Sequence, residues 1–266
     1  MSDRVTCSIE NGVADVRMNR PEKMNALDGA LFSALVETGE ALKSDPAVRA
    51  VVLSGEGRAF CAGLDFGSFQ AMAGDGGGNL ENVTPRRGGE ITNPGQQAAF
   101  VWQEIPAPVI AAVHGVALGG GFQIALGADI RIVAPDVKMS VLEVRWGLIP
   151  DMTGTQLLPR VVGLDVAKEL TFTGRMIDGH EAVRLGVATR VSETPLVDAL
   201  ALAREIASKS PHAVRGAKAL LNMAGTVSLA DGFKAEERTI RSLIGSPNQT
   251  EAVKAYFEKR DPVFED

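Results

Sequence analysis

Cysteine is nearly absent from this chain: Cys7 and Cys61 are the only two in 266 residues. That is too few for a disulfide framework, and the reducing cytoplasm is the simplest setting for it. Long apolar runs are absent too. No stretch approaches the roughly 18 consecutive apolar residues that span a bilayer, and Met1-Ser2-Asp3-Arg4 carries no apolar signal core. The sequence therefore predicts a soluble, cytoplasmic protein with no membrane partner. An excess of positive charge is also missing: 27 basic against 33 acidic residues give a net charge of −6, which argues against general nucleic-acid binding and leaves any phosphate-bearing ligand to a local basic patch. His114, His180 and His212 stand apart, and no Cys/His group has metal-ligand spacing, so no metal is expected.

What the chain does have is 45% hydrophobic residues and an α/β succession of elements arranged around residues 113–129. There an apolar β-branched run (Val109, Ile110, Val113) leads into Gly119-Gly120-Gly121, and Phe122, Ala125 and Leu126 then take up helical spacing. The first N–H groups of such a helix have no internal partner and sit at the positive end of its dipole, a setting for an anion or for a carbonyl oxygen becoming one. Phosphate motifs fail here. From Gly119 the sixth position is Ile124, so the dinucleotide fingerprint is broken, and Phe122-Gln123 stands where a Walker loop needs Lys-Ser/Thr. No Gly-x-Ser-x-Gly elbow occurs in the chain. An oxyanion site without an attached nucleophile remains, beside the plainer reading that the glycines only allow close packing.

In chain order, residues 4–19 alternate about Asn11-Gly12 and predict a hairpin. Asp28 caps a helix with Leu31, Leu35 and Leu42 on one face, and Val48–Gly55 reads as a buried strand. Ala59–Asp65 follows at the strand exit, where α/β proteins place ligand loops, although an ordinary loop with a gap-filling Cys61 fits as well. Residues 67–96 are poor in apolar side chains and predict a mobile lid or insertion, in which Arg86 and Arg87 are solvated or touch a phosphate. Beyond the glycine turn come short strands at Asp129–Ala134 and Val137–Ser140, then two helices and a strand over Leu157–Val191, and finally four helices at 195–209, 212–224, 229–243 and 248–258.

Glu143 and Asp151 stand among Leu142, Val144, Trp146, Leu148, Ile149 and Met152. Carboxylates in apolar surroundings are costly unless paired or used, and burial raises their pKa toward values useful for proton transfer. Gly147 and Pro150 force the chain to turn between them, so both can face one cavity. The alternative pairs Glu143 with Arg145 or Arg131 and makes Asp151 a helix cap near Thr153.

Together these stretches resemble the crotonase (enoyl-CoA hydratase/isomerase) superfamily over essentially the whole chain. The resemblance is carried by Asn19-Arg20-Pro21, Asn25-Ala26-Leu27, Ala59–Asp65, Pro108–Gly121, Asp129-Ile130-Arg131, Gly147–Pro150, Gly154-Thr155-Gln156 and Glu258-Lys259-Arg260. It implies an α/β spiral of ββα units over residues 1–194 and a helical trimerisation region over 195–266, assembled as a homotrimer or a dimer of trimers. It implies an acyl thioester of coenzyme A as substrate, with no separate cofactor. The positions matching the family's oxyanion hole are the N–H groups of Leu64 and Gly120. Lys23, Met24, Ala26 and Ala62 match the coenzyme A site, and Lys259 matches a basic tail residue that reaches it from a neighbour. Gln123 and Trp146 are expected in the substrate pocket. Relatives that hydrate carry a glutamate where this chain has Gln123, and the second hydratase glutamate matches Glu143; Asp151 has a counterpart in the dienoyl-CoA isomerases, which usually carry an aspartate in place of Gln123. The resemblance therefore implies an enzyme that shifts double bonds with Asp151 and Glu143, with two alternatives: a hydratase using Glu143 alone, and a non-catalytic acyl-CoA binder.

Overall fold

The computed structural model describes residues 3–65, 67 and 91–266; most of the expected lid at 67–96, with Arg86 and Arg87, lies outside the described residues. Strands β1 (Val5–Glu10) and β2 (Val13–Met18) pair antiparallel across Asn11 and Gly12, whose φ angles of 51° and 79° are those of a two-residue hairpin turn. Helix α1 (Gly29–Lys43) starts where the Asp28 carboxylate accepts the Leu31 N–H at 2.8 Å. It buries Leu31, Phe32, Leu35 and Leu42 and delivers the chain to β3 (Ala50–Gly55), which is buried along its whole length and runs parallel to β2. Helix α2 (Pro94–Glu104) opens with a reciprocal Asn93/Gln96 cap and a proline in its first turn, and it seats the fully buried Trp102.

Then come β4 (Val109–Val113), β5 (Val116–Leu118), α3 (Gly120–Gly127), β6 (Ile130–Val133), β7 (Lys138–Ser140), α4 (Gly154–Val162), α5 (Leu164–Thr173), α6 (Gly179–Leu185) and β8 (Arg190–Val191). The main sheet has the order β1-β2-β3-β4-β6-β8, parallel from β2 onward, and β5 pairs with β7 in a second, parallel sheet. Pairs of strands followed by a helix (β1-β2-α1, β4-β5-α3, β6-β7-α4) are the ββα repeat of the expected α/β spiral. Two expectations are corrected. The residues before the three glycines form a second short strand, β5, and the stretch up to Val191 holds three helices where two are expected, because Gly163 breaks the chain between α4 and α5.

Buried strands alternate between two apolar layers. Val16, Met18, Val51, Leu53, Val109 and Ala111 pack with α1, α2 and α3, while Val13, Val52, Ile110, Ala112 and Ile132 meet Ala199, Ala203 and Ala207 of α7 (Pro195–Ala207). Although it falls beyond residue 194, α7 covers the back of the sheet, its small residues four apart allowing close approach. Helices α8 (Pro211–Met223), α9 (Leu229–Leu243) and α10 (Pro247–Glu258) follow. Lys218 of α8 is buried against Asp129 at 2.7 Å and also donates to the Ala107 carbonyl at 3.1 Å, tying that helix to the sheet.

Candidate active site

Two backbone segments are brought side by side by main-chain bonds. Cys61 N–H donates to Val116 O at 3.0 Å and Leu118 N–H returns to Cys61 O at 3.1 Å, which adds the strand-exit loop to β5. Ala62 N–H donates to Met24 O, Leu27 N–H to Gly63 O and Asp65 N–H to Leu27 O, at 2.9, 2.8 and 3.0 Å. The amides of Cys61, Ala62 and Asp65 are therefore used, whereas the Leu64 N–H donates to no other described residue; nor does that of Gly120, the first residue of α3. The segments approach so closely that a Cβ on Gly63, whose φ is +87°, would lie 2.6 Å from Leu118 O and 3.8 Å from Gly120 N. Two unused N–H donors thus stand together at a helix N-terminus, the arrangement that stabilises charge building on an oxygen.

They open onto a cavity of about 310 Å³ whose walls are Met24, Leu27, Phe32, Ala62, Leu118, Leu142, Trp146, Leu148 and Met152, with Glu143 and Asp151 as its carboxylates. Glu143 begins a short 3-10 turn (Glu143–Trp146), and Asp151 lies in the turn before α4. Burial pushes the Glu143 carboxyl above its ordinary range, opposed by its own N–H and by the Gln123 amide and reinforced by the negative charge of Asp151. Partial desolvation by the apolar wall raises Asp151 as well, with its own N–H opposing, although the residue as a whole is still exposed to solvent. Among the described residues Glu143 has no ion pair: Arg131 instead donates to the carbonyls of Val187 and Ala128, both at 2.6 Å. Asp151 does not cap α4, whose N-cap is Thr153 without a side-chain bond. The structural alternatives for both carboxylates therefore fall away.

Gln123 is not part of the cavity wall. It is 1% exposed and lies behind Glu143. Its Nε2 donates to Glu143 Oε1 at 2.6 Å, and its Oε1 accepts the N–H groups of Met152 and Gly154 at 2.9 and 2.8 Å. These three bonds hold the amide against Glu143 and the Met152–Gly154 backbone rather than in the cavity. Trp146, expected in the substrate pocket, lines the cavity, and so do Met24 and Ala62. Ala26 is buried and offers its carbonyl to Arg20, Lys23 lies near enough to Asp65 to lower its pKa, and Lys259, the C-cap of α10, is not in the cavity of its own chain.

Two residues that sequence reasoning did not single out complete the site. Arg20 Nη1 donates to Asp65 Oδ2 at 2.7 Å and to Ala26 O at 2.9 Å, fastening the Leu64 loop to the segment before α1. Their signal lay in the Asn19-Arg20-Pro21 and Leu64-Asp65 pieces, but a pairing across 45 residues is not visible in either. His114 bonds the Gly57 carbonyl at 3.0 Å, and among the described residues no group of three His, Cys, Asp or Glu is placed to hold a metal.

Comparisons with known proteins agree along the whole chain. The sequence profile for "Enoyl-CoA hydratase/isomerase" matches residues 8–266. A mitochondrial methylglutaconyl-CoA hydratase from Homo sapiens is 35% identical over 260 residues, covering 95% of this chain and 74% of that one. A probable enoyl-CoA hydratase from Bacillus subtilis is 33% identical over 263 residues, covering 98% of each. The crystal structure of an enoyl-CoA hydratase from Bacillus anthracis superposes with a TM-score of 0.87 at 32% identity, over 98% of both chains.

Proposed function

The chain belongs to the enoyl-CoA hydratase/isomerase family of the crotonase superfamily, and from that premise we propose that it shifts double bonds in enoyl- or dienoyl-CoA thioesters. The observation that carries this reading is the placement of two carboxylates of raised pKa, Glu143 and Asp151, in one apolar cavity with two unused N–H donors. The Leu64 and Gly120 N–H groups hold the thioester oxygen and stabilise the enolate that forms when a proton leaves the acyl chain. Asp151 takes that proton near the thioester and Glu143 returns one farther along, so the double bond moves and no atom is gained or lost. Only protons move, and the reaction calls for no added cofactor. Met24, Ala26 and Ala62 lie where the coenzyme A moiety enters, with Lys23 and a neighbouring copy's tail at Lys259 supplying positive charge. We further place the protein in the cytoplasm, as an oligomer of identical chains.

The test is spectrophotometric: a Δ3,Δ5-dienoyl-CoA gains conjugation on isomerisation, and a trans-2-enoyl-CoA loses it on hydration. Rapid conjugation with little hydration is expected, and Asp151→Asn and Glu143→Gln should each lower isomerisation by about 10²-fold or more, the scale of a lost general acid or base. Hydration by Glu143 alone is the second reading, favoured by the names of the relatives. It requires that Glu143→Gln abolish hydration while Asp151→Asn leaves most of it. Silence with both substrates, with acyl-CoA still bound, would select a binding protein.

A further inference from the structure

One amide, that of Gln123, joins Glu143 to the backbone that follows Asp151. Its oxygen accepts main-chain N–H groups on both sides of Thr153, from Met152 and Gly154, so it cannot be the end that faces Glu143; the NH2 end must, and it donates to Glu143 Oε1. The orientation of the amide is thus fixed by its partners. With Oε1 engaged, Glu143 Oε2 is buried and has no hydrogen-bond partner among the described residues, while the residue itself lines the cavity. At the other end, Thr153 has a φ of 78°, a left-handed backbone that a β-branched residue adopts only under constraint, and the bonds flanking it come from the same Gln123 oxygen. Space is left for that approach: a Cβ on Gly154 would stand 2.7 Å from Gln123 Oε1. Asp151 is the residue immediately before this gripped segment.

We propose that Gln123 is a positioning residue that sets the placement of both carboxylates, gripping the Asp151 turn by its oxygen and turning Glu143 by its NH2 so that Oε2 is the proton-carrying oxygen. Donation to Oε1 also favours the ionised form of Glu143 against the burial that disfavours it. The charged group acting on Glu143 from the facing wall is Asp151. Arg145 is on the same turn but its side chain runs beside Gly174, and α5, packed on that turn, adds no charge that acts on Glu143. Gln123 neither touches substrate nor moves a proton; it acts through its neighbours.

The inference rests on Glu143 and Asp151 forming the site, and its test has one arm that needs no turnover. Gln123→Glu keeps an oxygen for Met152 and Gly154 but sets a second carboxylate oxygen against Glu143 Oε1. The two must then share a proton, and that proton stays bound to higher pH. Gln123→Leu removes both ends of the grip. In free protein, the carboxylic-acid C=O infrared band that Glu143→Gln deletes is titrated in each variant: its midpoint should rise in Gln123→Leu and rise further, by one pH unit or more, in Gln123→Glu. On whichever reaction the wild type performs, the acidic limb of kcat should move the same way. In Gln123→Leu kcat should fall about 10²-fold, as a displacement near 1 Å costs, with KM within about threefold. Unchanged midpoints in folded Gln123→Glu, or a Gln123→Leu enzyme with wild-type kcat, would overturn the proposal. If the wild type turns over neither substrate, the isomerase reading fails while the infrared arm still decides this one.

Discussion

Glu143 and Asp151 were legible as residues because each is a carboxylate in an apolar window, and the physics that makes such a window costly does not depend on the partner. Arg20 and Asp65 were not: both sit in polar, turn-rich stretches where a charge needs no explanation, and only the fold reveals the 2.7 Å bond between them. Gln123 was placed in the pocket because its position matches a catalytic one, yet its side chain is buried and held against Glu143 and the Met152–Gly154 backbone. The raised carboxylate pKa values have a consequence for stability. A carboxyl whose pKa is higher folded than unfolded favours the fold most at pH below its unfolded range, near 4, and that contribution is lost as pH rises through the folded value. Ionising Asp151 therefore costs the fold some stability, an amount its exposure to solvent keeps small, and Asp151→Asn should raise Tm slightly at high pH while lowering isomerisation. Calorimetry of both proteins from pH 4 to 8 should show the gap widening with pH; a constant gap would mean that the charge of Asp151 costs the fold nothing.

At the scale of elements, the hairpin at Asn11-Gly12, the Asp28 cap and the glycine-to-helix junction each announce themselves locally, and the structure forms all of them. Strand β5 does not, because three residues between two glycines carry no readable alternation. It is nonetheless the piece against which the Leu64 loop is laid, through Cys61 and Leu118. The closeness of that contact depends on Gly63, which has no side chain to collide with the Leu118 carbonyl. Gly63→Ala should push the loop outward and pull the Leu64 N–H away from that of Gly120. A drop of about 10²-fold in kcat/KM is expected, the cost of a displacement near 1 Å, with the far-ultraviolet circular dichroism unchanged. Activity within threefold of wild type would show that the two donors do not act as a pair.

For the whole molecule, periodicity located the four C-terminal helices but said nothing of what each would meet. The first covers the sheet, and its alanines are buried; the faces of the later helices are not. On α9 and its C-cap, Leu229, Phe233, Ile240 and Ile244 recur at helical spacing along one stripe and are 52–78% exposed, and on α10 Val253, Tyr256 and Phe257 share another exposed face. Apolar residues gathered into stripes on successive helices leave more hydrocarbon in water than scattered ones, and the oligomer proposed above would cover such a surface. An identical chain offers the same stripe, so a closed assembly buries every copy of it at once. The double substitution Phe233→Glu with Ile240→Glu places like charges in that contact without touching the core of the chain. Sedimentation velocity should show the wild type as a discrete oligomer and the variant as a species the size of one 28.0 kDa chain, with its helicity retained. If the variant sediments like the wild type, the stripe is not the contact; if the wild type itself runs as a single chain, Lys259 has no neighbouring site to reach and its assignment to coenzyme A falls with the oligomer.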